Sequence, residues 1–346
     1  MAAVLYLGTH EGVVTLCRDN GSSWKVEHHG LKNWDVPAVS TLDGSPNRVL
    51  AGTRGDGVWL SEDFGATWKK PCYGKPGPGK VQCLTVVPGD PPRIYAGCEP
   101  INVFVSDDLG KSWERLRSVR DLPWIDSIDY PVATVEPHVR DVTVDPNDPR
   151  TLYVALQVGS MIKSTDGGAT WTLLDKDLDA DVHTIVVNPT NPDNLLVATG
   201  GHDYRLGTAK GRALYASTDG GASWSPTATE FSQEYSVPLV MDPSNPRVLY
   251  SAFANGQPGM WRWPGGAESV LVRTRDGGQT WESLDAAKPA LDKDFAEAIA
   301  IAADNPRQVF AALRGGEVLA SDDAGDSWAK LELQVPSVSD MQYVPA

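Results

Sequence analysis

The chain of 346 residues carries a formal charge of −15, with 45 acidic against 30 basic side chains, a balance that repels phosphate backbones and anionic bilayers over most of the surface it can form. Nucleic acid and membranes are excluded as partners on that ground. A hydrophobic content of 41% beside 33 Gly, 26 Pro and 12 Trp is the profile of an all-β protein rich in turns and periodic aromatic packing.

Residues Met1 to Gly8 form a short apolar run without the basic region and long apolar stretch of a secretory leader. Nothing in the chain approaches the roughly 20 apolar residues needed to cross a bilayer as a helix. The expectation is a soluble, cytoplasmic chain. Val4 to Gly8, Gly12 to Cys17 and Ser23 to Glu27 read as three strands in succession, the last three of a four-stranded unit.

The turn into the last of these strands introduces a motif that recurs along the whole sequence. Ser/Thr-x-Asp-x-Gly-x-Ser/Thr-Trp stands at Ser61 to Trp68, Ser106 to Trp113, Ser164 to Trp171, Ser217 to Trp224, Thr274 to Trp281 and Ser321 to Trp328, and Cys17 to Trp24 departs from it only at the first position. The seven Trp residues lie 44 to 58 positions apart, at or above the roughly 40–50 residues of a four-stranded propeller blade. Between copies, segments such as HVRDVTVDPNDPRTLYVAL from His138 and DVHTIVVNPTNPDNLLVAT from Asp181 pair two β-rich runs around an Asp/Asn-Pro turn. Each repeat is thus one antiparallel sheet, with strands A to D counted outward. The aspartate of the motif recurs in every unit, so it builds the C to D turn and is not a catalyst. SVSDMQYVP, from Ser337 to Pro345, matches strand A, so residues 336–346 join residues 1–30 to close the first blade. The expected fold is all-β: one seven-bladed propeller of four-stranded antiparallel blades spanning 1–346.

Three insertions explain the longer spacings: Glu114 to Pro137, Gly200 to Arg212 and Ala254 to Ser269. All fall on the face opposite the aspartate turns, and long loops clustered on one face suggest a walled pocket. Strand A opens there with Asp35, Lys80, His138, Asp181, Tyr235, Phe295 and Ser337, and two residues on stand Pro37, Gln82, Arg140, His183, Val237, Glu297 and Ser339. By strand alternation both sets face the axis. The B to C loops add His10, Arg54, Glu99, Gln157, His202, Arg205 and Arg314, with Trp261 and Trp263 as apolar walls.

All six histidines, at 10, 28, 29, 138, 183 and 202, are assigned to this face. His138, His183, Glu297, Glu99 and Tyr235 are the candidates for acid, base or nucleophile; His10, Asp35, Arg54, Arg140, Gln157, His202, Arg205 and Trp261 are the candidates for holding a substrate. His10, His138, His183 and His202 together could ligate a divalent metal that activates water, although no His-x-His or His-Glu-x-x-His spacing occurs. Cys17, Cys72, Cys83 and Cys98 show no CxxC spacing and are expected as thiols.

The seven motifs closely resemble the BNR or Asp-box repeats of the sialidase-like propeller superfamily, over essentially the whole chain. That resemblance implies a propeller and leaves the activity open, since similar propellers include sialidases, xyloglucan-cleaving glycosidases, receptors of the sortilin type and photosystem II assembly factors. A sialidase would carry an Arg-Ile-Pro motif near its start and six blades; this sequence has no such motif and seven repeats. Two functions follow. One is a hydrolase or lyase acting on a small polar substrate, anionic or carbohydrate-like, at the axis. The other is a non-catalytic binding or assembly propeller, with Trp124, Ile125, Tyr130, Trp261 and Trp263 anchoring a protein partner.

Overall fold

The computed structural model describes residues 3–19, 22–42, 45–129, 135–209, 211–263 and 265–346; Tyr130 lies outside them. Seven antiparallel sheets stand in a ring around one axis. Their innermost strands are Val338–Pro345, Ala38–Leu42, Lys80–Val87, Val139–Asp145, Val182–Val187, Tyr235–Asp242 and Ala296–Ile301, for blades one to seven. Each packs against the next, and that of blade seven returns to blade one. The first blade is completed by the C-terminal strand, whose Val344 and Met341 pair with Val4 and Leu7. Pairing the two segments removes the sheet edges that they would otherwise present.

One expectation needs correction. Among the described residues six sheets have four strands and the second has three, Ala38–Leu42, Ser45–Thr53 and Gly57–Ser61. Its fourth strand is reduced to an isolated bridge in which Leu60 and Lys69 exchange backbone hydrogen bonds. Pro71, two residues later, has no N–H to continue a ladder.

Strand B supplies the packing between blades. A large side chain recurs at the same place in it, as Tyr6, Tyr95, Tyr153, Tyr250 and Phe310, all essentially inaccessible, and each burial is worth about 2–3 kcal/mol. The phenols reach polar partners at their far ends: Tyr6 donates to the Pro46 carbonyl and Tyr250 to that of Ala324, both at 2.8 Å. Each of these acceptors belongs to the next blade, so one side chain fills a core and orients its neighbour.

The recurring motif forms one turn with constant geometry. In blade two Ser61 Oγ accepts from Gly65 N–H and donates to Asp63 Oδ1, both at 2.8 Å, while Asp63 accepts from Thr67 N–H at 2.9 Å and Thr67 Oγ1 at 2.6 Å. The same four bonds recur at Ser106, Asp108 and Ser112 and at Ser321, Asp323 and Ser327. These bonds hold the motif carboxylates below the usual range, to about 2 at Asp323, where the Ser327 hydroxyl is the leading cause. The aspartates are committed to the turn, as the repetition implied.

Candidate functional site

The seven inner strands converge on a cavity of about 800 Å³. Strict alternation would turn every second side chain away from it, yet consecutive residues line the wall: Gln82 with Cys83, Arg140 with Asp141, His183 with Thr184, Glu297 with Ala298. The cause is a break in register at these places, between Val81 and Cys83, Val139 and Asp141, Val182 and Thr184, and Ala296 and Ala298. A bulge adds one residue and re-aims its neighbours. Asp141 and, through a similar shift opposite Gly8 and Thr9, Asp340 reach the axis for this reason, although alternation turns them away from it.

Of the residues expected at the mouth, His10, Arg54, Glu99, His138, Arg140, Gln157, His183, Tyr235 and Glu297 line the cavity. Four others do not. Asp35 stands behind Arg54, holding its Nη1 at 3.1 Å. Trp261 is buried in an aromatic cluster, its ring centroid 5.3 Å from Tyr235 and 4.9 Å from Phe295, with Nε1 donating to the Asn255 carbonyl. It supports Tyr235 from behind and is not a wall; Gln257, Pro258 and Gly259 of the same loop are. His202 and Arg205 sit on a short helix, His202–Leu206, whose start is pinned by Asp179 accepting from the backbone N–H groups of His202 and Tyr204. Arg205 donates to the Gly200 carbonyl at 2.5 Å, away from the mouth.

The first insertion also departs from expectation. It folds through two short helical turns, Arg117–Arg120 and Ile125–Ser127, and buries Val119 and Ile125 in a cluster shared by blades three and four. Trp124 packs on that same cluster, so neither Trp124 nor Ile125 is an exposed anchor, whereas Trp263 is 61% exposed. His28 and His29 lie on the outer strand Lys25–Gly30 and not at the mouth, with His29 Nε2 2.7 Å from the Glu11 carbonyl.

The charges around the mouth are mostly spoken for. Glu99 takes Lys80 Nζ at 3.0 Å and Gln82 Nε2 at 2.8 Å, and Glu297 takes Arg314 Nη1 at 3.3 Å. Asp181 Oδ1 accepts from Gln157 Nε2 at 2.9 Å and lies 3.3 Å from His183 Nε2. His183 Nδ1 is 2.6 Å from the Ser236 carbonyl, an acceptor only, so that nitrogen carries a hydrogen. His138 Nδ1 likewise faces the Glu136 carbonyl at 3.0 Å. Burial first, and the Arg140 charge second, push His138 down to about 4, so its ring is neutral at pH 7. Deeper in the channel, Asp141 Oδ2 accepts from Ile185 N–H at 2.9 Å and Asp340 Oδ2 from Val39 N–H at 2.8 Å, each stitching its blade to the next. Burial raises both, and Asp340, which also feels the Asp141 charge, reaches about 6.

Arg140 is different. Among the described residues it makes no hydrogen bond or ion pair, and its Nε is buried without an acceptor. The histidines, by contrast, do not assemble a metal centre: no three His, Cys, Asp or Glu side chains among the described residues are grouped as ligands. The expected set of His10, His138, His183 and His202 is not brought together, because His202 sits on the His202–Leu206 helix and does not line the cavity.

A family model described as sortilin, neurotensin receptor 3, matches residues 101–257 and 159–286, which together cover more than half of the sequence. The chain belongs to the sortilin-Vps10 propeller family. This sortilin-Vps10 propeller is similar to further proteins. It is 27% identical over 295 residues to a xyloglucanase of Paenibacillus sp, a match covering 80% of this chain and 24% of that protein, so it spans about a quarter of the relative's length. Among solved structures, the GH74 xyloglucanase of Xanthomonas campestris superposes with a TM-score of 0.61 at 16% identity, over 85% of this chain and 45% of that one. YCF48 from Cyanidioschyzon merolae gives 0.55 at 15% identity over 85% and 83%, and YCF48 bound to D1 peptide gives 0.58 at 16% over 90% of both chains. At these identities the structural matches establish the propeller fold alone.

Proposed function

We propose that this chain is a ligand-binding propeller whose axial mouth captures a small polar molecule through an anionic group, with Arg140 as the anchor. The observation that carries the proposal is Arg140, which lines an 800 Å³ cavity and makes no hydrogen bond or ion pair among the described residues. A cation on a cavity wall with no ion-pair partner is met by a bound carboxylate through charge-assisted hydrogen bonds. Every other cation at the mouth named above already has a carboxylate.

Turnover finds less support. Tyr235 is driven far up by burial and by the Glu297 charge, so its phenol stays protonated and is a poor nucleophile. Burial works against ionisation of Glu99, but its bond to Lys80 outweighs that and holds the carboxyl below the usual range, unsuited to donating a proton. Peptide binding by the YCF48 structure is in keeping with capture. Similarity to a xyloglucanase keeps glycan hydrolysis as the second reading, and release of reducing ends from xyloglucan by the purified chain would establish it.

The test is a ligand-observed NMR screen of small carboxylates against uncharged analogues of matched size, repeated on Arg140→Met. Carboxylates should give saturation transfer with the wild type and lose it with the variant. Equal signals from charged and uncharged members would refute the assignment.

A further inference from the structure

Tyr235 is 7% exposed and lines the cavity. Its ring is held from three sides, with centroids 5.2 Å from His183, 5.3 Å from Trp261 and 5.7 Å from Phe295. A phenylalanine ring would fill that space equally well, so packing does not account for the hydroxyl. Tyr6 and Tyr250 donate to carbonyls of the next blade, and the Tyr215 hydroxyl is sealed in the interior. The Tyr235 hydroxyl does neither: among the described residues it makes no hydrogen bond, and it is not closed off. A buried phenol ordinarily finds a partner. Burial and the Glu297 charge keep this one protonated, so it has a hydrogen bond to donate.

Arg140 shares its wall. Arg140, His183 and Tyr235 stand on the inner strands of blades four, five and six, and the Asp181 and His183 side chains between them are already joined at 3.3 Å. Of the Arg140 guanidinium only Nε is closed off, which leaves the terminal nitrogens to an anion. A molecule held there and extending along the wall meets, two blades on, an immobilised donor with no acceptor of its own.

We infer that Tyr235 is a ligand contact, its hydroxyl donating to an uncharged oxygen acceptor on the acid whose carboxylate Arg140 holds. The inference rests on the Arg140 reading above and adds a second point of attachment, which makes the ligand an acid with a further oxygen away from its carboxylate. An acid without that oxygen answers Arg140 alone, and a site that hydrogen-bonds a ligand group discriminates against the analogue lacking it.

Calorimetric titration of the wild-type chain compares pentanoate, hexanoate and heptanoate with 4-oxopentanoate, 5-oxohexanoate and 6-oxoheptanoate. Each pair keeps chain length and charge, and the carbonyl oxygen moves steadily away from the carboxylate. At least one oxo acid should bind about threefold more tightly than its parent or better, the return of one net hydrogen bond. In Tyr235→Phe, checked for an intact fold by circular dichroism, that gain should vanish while the parent acids bind as before. No gain in the wild type, or a gain that survives in Tyr235→Phe, overturns the Tyr235 contact. The Arg140 anchor stands in either case if Arg140→Met loses the parent acids. Binding by none of the acids overturns both.

Discussion

The Gln157 amide and the Asp181 carboxylate join blades four and five at the mouth, Nε2 to Oδ1 at 2.9 Å. Both side chains are buried, and the same carboxylate faces His183 Nε2. Replacing Asp181 by Ala strands the Gln157 donor and one ring nitrogen together. Such a loss costs about 2–4 kcal/mol, to be read as a lowered urea midpoint with an unchanged m-value. A shift under a few tenths of a kcal/mol would mean that the seam carries no stability.

Two buried groups of the channel give pH dependences of opposite sign. Asp340 is raised from 3.8 to about 6 by burial, so the folded state holds its proton more tightly than the unfolded chain. Its contribution is complete below about pH 4 and is lost as pH rises through about 6. His138 is lowered from 6.5 to about 4 by burial. Its contribution is complete above about pH 6.5 and is lost as pH falls towards 4. Subtracting the stability profile of Asp340→Asn from that of the wild type between pH 3.5 and pH 7 should leave a falling curve, and subtracting that of His138→Gln a rising one. Two flat differences would show that neither group is perturbed by folding.

In the recurring turn, the residue before the second glycine position takes a left-handed conformation. Gly167, Gly220 and Gly277 occupy it in blades four, five and six, but blade seven has Ala324 at φ 63°. A Cβ in that region costs about 1 kcal/mol. Ala324→Gly should therefore stabilise the protein by roughly 0.5–1 kcal/mol, the gain being trimmed by the entropy of glycine in the unfolded chain, and differential scanning calorimetry would show the higher midpoint. Ser321→Ala, in the same turn, should act oppositely: it strands the Gly325 N–H that Ser321 Oγ now accepts at 2.8 Å and costs about 1–2 kcal/mol.

Closure of the first blade is similarly open to measurement. Removing residues 338–346 deletes the strand that pairs with Ala3–Thr9 and exposes a bare edge. That truncation should aggregate or lose its cooperative melt, and addition of a peptide with the sequence VSDMQYVPA should restore part of it. A truncated chain that melted like the full one would show that the closing strand is dispensable.

Much of the ring was legible because each blade repeats the same local chemistry. The aspartate turns, the paired β runs and the closing strand all follow from residue type and spacing, and the structure reproduces them apart from the eroded fourth strand of blade two. Of the site, strand spacing led to His138, Arg140, His183, Tyr235 and Glu297, all of which line the cavity. Asp141 and Asp340 were hidden by the register breaks, which have no residue signature in these strands beyond their regularity. His202, Arg205 and Trp261 were misplaced because a loop's face can be assigned from its flanking strands, whereas the direction of its side chains depends on contacts such as Asp179 with the helix start. Nothing in composition marks Arg140 as the cation without a partner. That distinction appears only when every neighbouring carboxylate is traced to its own donor.

The central claim is that Arg140 anchors an anion, and the most direct measurement is the calorimetric affinity of one carboxylate ligand for wild type and Arg140→Met at equal ionic strength. The account predicts at least a tenfold loss of affinity with the fold retained by circular dichroism, since Arg140 makes no hydrogen bond or ion pair among the described residues. Equal affinities for the two proteins would contradict it.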